Sequence, residues 1–285
     1  MTAPCPLLRP ALAAALTLTL APAELRPDSI FLVASVTKPV VATAVMQLVE
    51  QGLLDLDAPV HTILPAFATS SAPDDPLAAA RLEVTVRHLL THTSGLPDAV
   101  PENHELRARQ APLADFSAIM IHAPLLFAPA TNISYSSVAL NVLGDIVESI
   151  TGTTLGLYLK QHVFEPLGMK DTTLGIAADR QKAREVCINL AGEYSGADSG
   201  RQFQHLSAAK GGIPRSNWNS DYWRELGAPW GGMTTTVGDL AIFCQAILVA
   251  EEPRLLSSES IGLMTRAHTH GDQVSVVSLR TIPRG

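Results

Sequence analysis

Between Phe31 and Leu56 the apolar residues Val41, Ala44, Val45, Leu48 and Val49 recur at helical intervals, marking one buried helix face. Gly52 ends the pattern, and Leu53, Leu54 and Leu56 carry an apolar edge beyond it. Pro39 is tolerated only near a first turn, where its missing N–H has no partner to lose. The helix is therefore predicted to begin close to Val36 or Thr37. A second long helix is predicted from about Ser136 to Thr151. Val138, Leu140, Val142, Leu143, Ile146, Val147 and Ile150 form its apolar face, and Gly152 is its stop.

Shorter helices are predicted over Val84 to Leu90 and Leu155 to Phe164, the latter ending in the turn Glu165-Pro-Leu-Gly-Met169. Thr236-Val-Gly-Asp239 has the form of a capping box opening a helix through Leu240, Ile242, Phe243, Ile247 and Leu248. Residues 66–80, rich in Ala, Ser, Pro and Asp, read as a surface loop, and residues 98–112 as a polar, mobile one. Residues 173–228 read as irregular. Their aromatics Tyr194, Trp218, Tyr222 and Trp223 either line a cleft or, the favoured reading, pack beneath a long loop. Val274 to Leu279 is predicted as one short strand.

This pattern puts Ser35 at the N-terminal mouth of a buried helix, with Lys38 three residues on along the same face. The serine feels the positive helix end, and free N–H groups around it face outward. A lysine pressed against apolar walls loses proton affinity and can accept the serine proton, which is the serine–lysine form of an activated nucleophile. A second Ser-x-x-Lys, Ser207 to Lys210, opens no periodic helix and reads as coincidence.

Composition narrows the field. The chain of 285 residues is 47% apolar and 16% charged, enough for one large domain or two intimate lobes around a substantial core. With net charge -7 and no basic cluster, nucleic acid is not an expected partner. Cys5, Cys187 and Cys244 have neither paired nor metal-ligand spacing and read as incidental thiols. His88 and His92 stand four apart, but Leu89 occupies the place where a zinc-protease motif needs glutamate, so neither metal nor cofactor is expected. Gly-x-Ser-x-Gly is absent, which excludes an α/β-hydrolase reading of Ser94. Residues 1–23 read as an export signal: Arg9, an apolar run from Ala11 to Leu20 too short to span a bilayer, then Ala21-Pro-Ala23. The expected location is periplasmic or secreted if this segment is a signal and cytoplasmic if it is a structural apolar segment, with no stable membrane span; the oligomeric state is left open.

Several ordered blocks carry a family resemblance. Phe31-Leu-Val-Ala-Ser-Val-Thr-Lys-Pro39, Leu53-Leu-Asp-Leu-Asp-Ala-Pro-Val60 and Val86-Arg-His-Leu-Leu-Thr-His-Thr-Ser-Gly-Leu-Pro97 resemble the serine β-lactamase-related hydrolases. Tyr135-Ser-Ser137, Pro166-Leu-Gly-Met-Lys-Asp-Thr172 and Gly231-Gly-Met-Thr-Thr-Thr-Val-Gly-Asp-Leu-Ala241 continue it, over roughly residues 25–265. That superfamily includes class C β-lactamases, family VIII esterases and DD-peptidase relatives. The resemblance implies an α/β fold of two lobes, with a helix-rich lobe packed on an antiparallel sheet, over residues 24–285. It implies Ser35 as nucleophile, Lys38 as general base and Tyr135 as proton shuttle. Ser137, Gly231 and Gly232 become substrate-binding positions. The turn His92 to Pro97 resembles a structural signature rather than a catalytic one.

Two departures shape the expectation. Many β-lactamases place asparagine where Ser137 stands; a hydroxyl offers one donor on a shorter arm, which tilts the reading toward carboxylic esters. Strands expected before the nucleophile are poorly represented, and the downstream Lys-Thr-Gly or His-x-Gly motif is not found. His268-Thr-His-Gly271 and Lys210-Gly-Gly212 are misplaced for it, so an incomplete sheet is expected. Three readings follow: an ester hydrolase working through an acyl-enzyme, a β-lactamase or D-Ala-D-Ala carboxypeptidase, and an inactive relative that binds ligands.

Overall fold

The computed structural model describes residues 25–175, 184, 218, 220–248 and 255–269 of the chain. Strand β1 (Ile30–Leu32) passes through a 3-10 turn (Ala34–Val36) into α1 (Thr37–Glu50), which begins where Pro39 requires. Val40, Val41, Ala44, Val45 and Leu48 of α1 are fully buried. Large aliphatic side chains so placed each contribute roughly 1.5–3 kcal/mol.

The chain continues through α2 (Val86–Leu90), α3 (Asn103–Ala108), α4 (Leu113–Met120) and α5 (Ser137–Thr151). The Ser136 hydroxyl caps α5 by accepting from Ala139 N–H, and Gly152 ends it at φ +69°. Helix α5 is the hub, packing against α1, α2, α4 and α6 (Leu155–Leu159). Its buried residues Val138, Val142, Leu143, Ile146 and Val147 follow the predicted face.

The helix expected over Leu155 to Phe164 is α6 followed by a π turn, Lys160–Phe164. Pro166 has no N–H to give the carbonyl of His162, and Gln47 of α1 donates its side-chain amide to that carbonyl instead, at 3.0 Å.

The sheet is small, antiparallel and open. Its order is β1-β3-β2, with β3 (Met233–Thr236) central and β2 (Thr173–Leu174) on the far edge. All four residues of β3 are buried. Its threonines are satisfied across the ladder by Thr172–Thr235 at 2.7 Å and Thr173–Thr234 at 3.1 Å. The Thr236 hydroxyl caps α8 (Val237–Leu248) by accepting from Asp239 N–H. Asp239 does not return the bond as a capping box would; its carboxylate takes Thr172 Oγ1 and Asp171 N–H, both at 2.8 Å.

Three sequence expectations need correction. Residues 66–80 are not merely a surface loop, since Phe67 is fully buried and the stretch runs into a helical turn, Ala78–Arg81, whose Arg81 is fully buried too. The Arg81 guanidinium donates to the carbonyls of Phe67, Ala123 and Ile121 and lies 4.1 Å from the Phe67 ring centroid, which replaces water with fixed acceptors. Burial lowers its pKa to about 10. Residues 98–112 contain α3, whose Leu106 is buried. Between 173 and 228 the described residues include β2 and α7 (Asp221–Leu226). Cys244 is exposed; Cys5, Cys187, the segment 1–23 and the strand expected at Val274 to Leu279 lie outside the described residues.

Helices α4 and α5 are joined by a polar cluster. Ser117 Oγ donates to Asp145 Oδ1 at 2.8 Å, and Asn141 Nδ2 to Asp145 Oδ2 at 3.1 Å. Burial pushes the Asp145 carboxyl up to about 7, against the Ser117 bond and with some help from Glu148. The raised value means that protonated Asp145 stabilises the fold fully below pH 3.8, a contribution lost as pH rises through about 7. Asp145→Asn is therefore expected to raise Tm at about pH 8 and to matter much less at about pH 5, read by thermal denaturation. An equal effect at both pH values contradicts the assignment.

Candidate active site

The turn carrying Ser35 is fastened to the central strand. Val33 N–H donates to Met233 O at 3.1 Å, and Met233 N–H donates to Thr37 Oγ1 at 3.1 Å. The same hydroxyl donates to Ala34 O at 2.7 Å, so one fully buried threonine ties turn, helix and strand together. Ala34 sits at φ +45°, a left-handed conformation that costs a non-glycine residue on the order of 1 kcal/mol. Ser35 emerges exposed at the N-terminus of α1, where the helix dipole favours negative charge.

Lys38 is only 8% exposed. Its Nζ lies 3.1 Å from Ser35 Oγ and donates to the Trp230 carbonyl at 2.7 Å. The ring of Tyr135, 47% exposed, stands with its centroid 4.7 Å from the same Nζ. Two packed helices, α1 and α5, thus bring Ser35, Lys38 and Tyr135 together as the sequence implied.

Gly231 and Gly232 run beside the turn that carries Ser35. A Cβ on Gly231 would meet Ala34 at 3.5 Å, an ordinary contact, whereas one on Gly232 would come within 2.7 Å of the Ala228 nitrogen. The missing Cβ of Gly232 therefore lets the turn from Ala228 close tightly ahead of β3, next to Trp230, whose carbonyl meets Lys38. Ser137 is committed elsewhere. Its N–H and Oγ both donate to Asp98 Oδ1, at 2.9 and 2.7 Å, so it would have to give up a bond to donate to a substrate. Asp98 itself, held by Ser137 two residues after Tyr135, is exposed.

Other candidates are placed away from this group. His88 Nδ1 accepts from Thr85 N–H in a capping box, and His92 Nδ1 accepts from Ser136 N–H, so each histidine serves the backbone. Burial first, and Lys38 second, hold the His92 pKa below its ordinary value, with Asp98 opposing. A Cβ on Gly95 would come within 2.2 Å of the Phe127 carbonyl oxygen, in keeping with a structural role for that turn. Trp218 and Trp223 stack with ring centroids 4.6 Å apart under Arg107, and Tyr222 donates to the Ala111 carbonyl, which is packing. His268 bonds the carbonyl of Leu263. Tyr194, Ser207, Lys210, His270 and Gly271 lie outside the described residues. A cavity of about 750 Å³ lined by Ser117, Asp145, Glu148 and Leu174 shares no residue with the Ser35 group.

Sequence reasoning missed the Trp230 carbonyl, Thr37 and Asp98. Only Asp98 left a trace, as an acidic residue directly after Leu96-Pro97.

A serine paired with a buried lysine at the head of a core helix, a tyrosine at the head of its partner helix, and an antiparallel sheet alongside define a β-lactamase/transpeptidase-like frame. The chain belongs to the beta-lactamase family, whose model matches residues 10–280. It is 42% identical over 159 residues to esterase EstB of Burkholderia gladioli, covering 52% of this chain and 39% of that protein. It is 30% identical over 258 residues to acyltransferase calJ of Penicillium decumbens, covering 84% of this chain and 57% of that one. The crystal structure of a family VIII carboxylesterase superposes with TM-score 0.65 at 23% identity, over 85% of this chain and 62% of the other. The chain thus spans less than two thirds of each of these relatives' lengths.

The two glycines make different predictions. Gly232→Ala is expected to lower stability by about 1–3 kcal/mol in urea denaturation, since backbone must move to admit the methyl group. Gly231→Ala is expected to change little; similar losses in both would mean that Gly232 has no special need of its missing side chain.

Proposed function

We propose that the chain is a serine hydrolase of carboxylic esters working through an acyl-enzyme on Ser35. The observation that carries this reading is Lys38 Nζ, 3.1 Å from Ser35 Oγ and held there by the Trp230 carbonyl. Ser35 Oγ attacks the ester carbonyl while Lys38 takes its proton, and Tyr135 beside Lys38 passes a proton to the departing alkoxide. The Ser35 N–H at the helix end offers a donor to the developing oxyanion. Water then attacks the acyl-enzyme, with the same groups moving protons in reverse.

Esters are favoured over β-lactams on two grounds. EstB, 42% identical over the matched segment, is named an esterase. Ser137, two residues after Tyr135, holds the exposed Asp98 carboxylate, and a negative charge near the site disfavours the carboxylate that β-lactams carry.

The test is a burst assay with p-nitrophenyl butyrate followed by mapping of the acyl group. We expect a stoichiometric burst with the acyl group on Ser35, abolished by Ser35→Ala and cut at least about 100-fold by Lys38→Ala. Tyr135→Phe should slow acylation without abolishing it, and a chromogenic cephalosporin should turn over far more slowly than the ester. A burst that survives Ser35→Ala, or none from folded wild type, rejects the reading.

A further inference from the structure

One residue, His92, meets Tyr135 and both of its chain neighbours. The main-chain carbonyl of His92 accepts from Ser134 N–H at 2.9 Å, and its ring Nδ1 accepts from Ser136 N–H at 3.2 Å. Its ring packs on the Tyr135 ring, with centroids 4.8 Å apart at 36°. Both chain neighbours of Tyr135 and the ring itself are thus gripped by His92. In making these contacts His92 sits at φ +60°, past the end of α2, a left-handed conformation uncommon outside glycine although histidine tolerates it better than most residues.

From this geometry we propose that His92 is a positioning residue for Tyr135, and that it works only as neutral imidazole with Nδ1 as acceptor. The inference rests on the reading of Ser35, Lys38 and Tyr135 as a catalytic group. An Nδ1 that accepts an amide N–H carries no proton of its own, so the ring proton is on Nε2. Protonating Nδ1 would turn that acceptor into a donor facing another donor. It would also set a cation beside Lys38 of α1, with the exposed Asp98 of the preceding turn as the opposing charge and Tyr135 across the ring. The grip on Ser136 then fails and Tyr135 is free to leave Lys38. Since burial and Lys38 lower the His92 pKa below 6.5, the grip holds at neutral pH and is lost only as pH falls below that value.

Two variants and one spectroscopic signal test the idea. Asparagine tolerates left-handed backbone, and its Oδ1 can take the place of Nδ1 without titrating. Phenylalanine keeps a ring but has no acceptor. His92→Phe is expected to lower kcat for p-nitrophenyl butyrate roughly 10- to 100-fold with KM nearly unchanged, as expected when a reacting group is misplaced rather than removed. His92→Asn should recover most of that loss and should lack the particular acid inflection of the wild-type kcat profile that coincides with the Tyr135 resonance shift, whatever the general base itself adds to the profile. In protein carrying ¹³C-labelled tyrosine, the Tyr135 ring resonance should shift with a midpoint below pH 6.5 in wild type and stay constant in His92→Asn. Should His92→Phe not fold, the asparagine variant and the resonance decide alone. Wild-type kcat in His92→Phe, persistence in His92→Asn of the acid inflection that coincides with the wild-type Tyr135 shift, or a Tyr135 resonance indifferent to this titration overturns the proposal. A burst that survives Ser35→Ala would instead sink the catalytic reading, while the resonance would still report on the grip.

Discussion

The buried hydroxyl of Thr37 is the joint on which the site depends. It donates to Ala34 O and accepts from Met233 N–H, while Val33 N–H returns a bond to Met233 O one peptide away. Each such bond adds only about 0.5–1.5 kcal/mol net, but a buried N–H left without its acceptor costs about 1–3 kcal/mol. The asymmetry makes the joint all-or-none. With it intact, the N-terminus of α1 has one position relative to β3, and Lys38 finds the Trp230 carbonyl within reach.

Rigidity at the joint would mean little if Tyr135 were free to drift. Helix α5, which Tyr135 precedes, packs along α1 through Val and Leu side chains with no exposure to water. It also meets the loop before the double glycine. A Cβ on Gly144 would lie 2.8 Å from Pro229, next to the residue whose carbonyl holds Lys38. The partners of Ser35 therefore come from elements that touch each other directly, and close-packed interiors deform little.

What the sequence made legible is what local physics determines. Pro39 and Gly52 bounded α1, and Gly152 bounded α5, because backbone conformation there depends on a single residue. The spacing of Ser35 and Lys38 survived intact because it lies within one helical turn. Contacts with main-chain carbonyls were illegible, since every residue has one. Nothing in the sequence says that Trp230 offers its carbonyl to Lys38, or that three carbonyls wait for Arg81. The four-residue spacing of His88 and His92 is real, yet the two rings satisfy different backbone donors, one in a helix cap and one beside Tyr135. Spacing specifies that two residues share a helix face, and tertiary contacts then decide what each one does.

The distribution of strain points the same way. Four described non-glycine residues have positive φ: Ala34, His92, Gln110 and Ala130. Two of them abut the chemistry, since Ala34 precedes Ser35 and His92 grips Tyr135. Glycine would adopt either conformation more readily, but with opposite consequences for the site. At Ala34 the strain is offset by the Thr37 bond to its carbonyl, so the methyl group itself makes no polar contact there. At His92 the side chain is the whole point, because no glycine could supply an acceptor to Ser136 N–H or a face to Tyr135. Strain retained where the side chain is used, at a cost on the order of 1–3 kcal/mol, is more simply understood as tied to the site than to the stability of the fold.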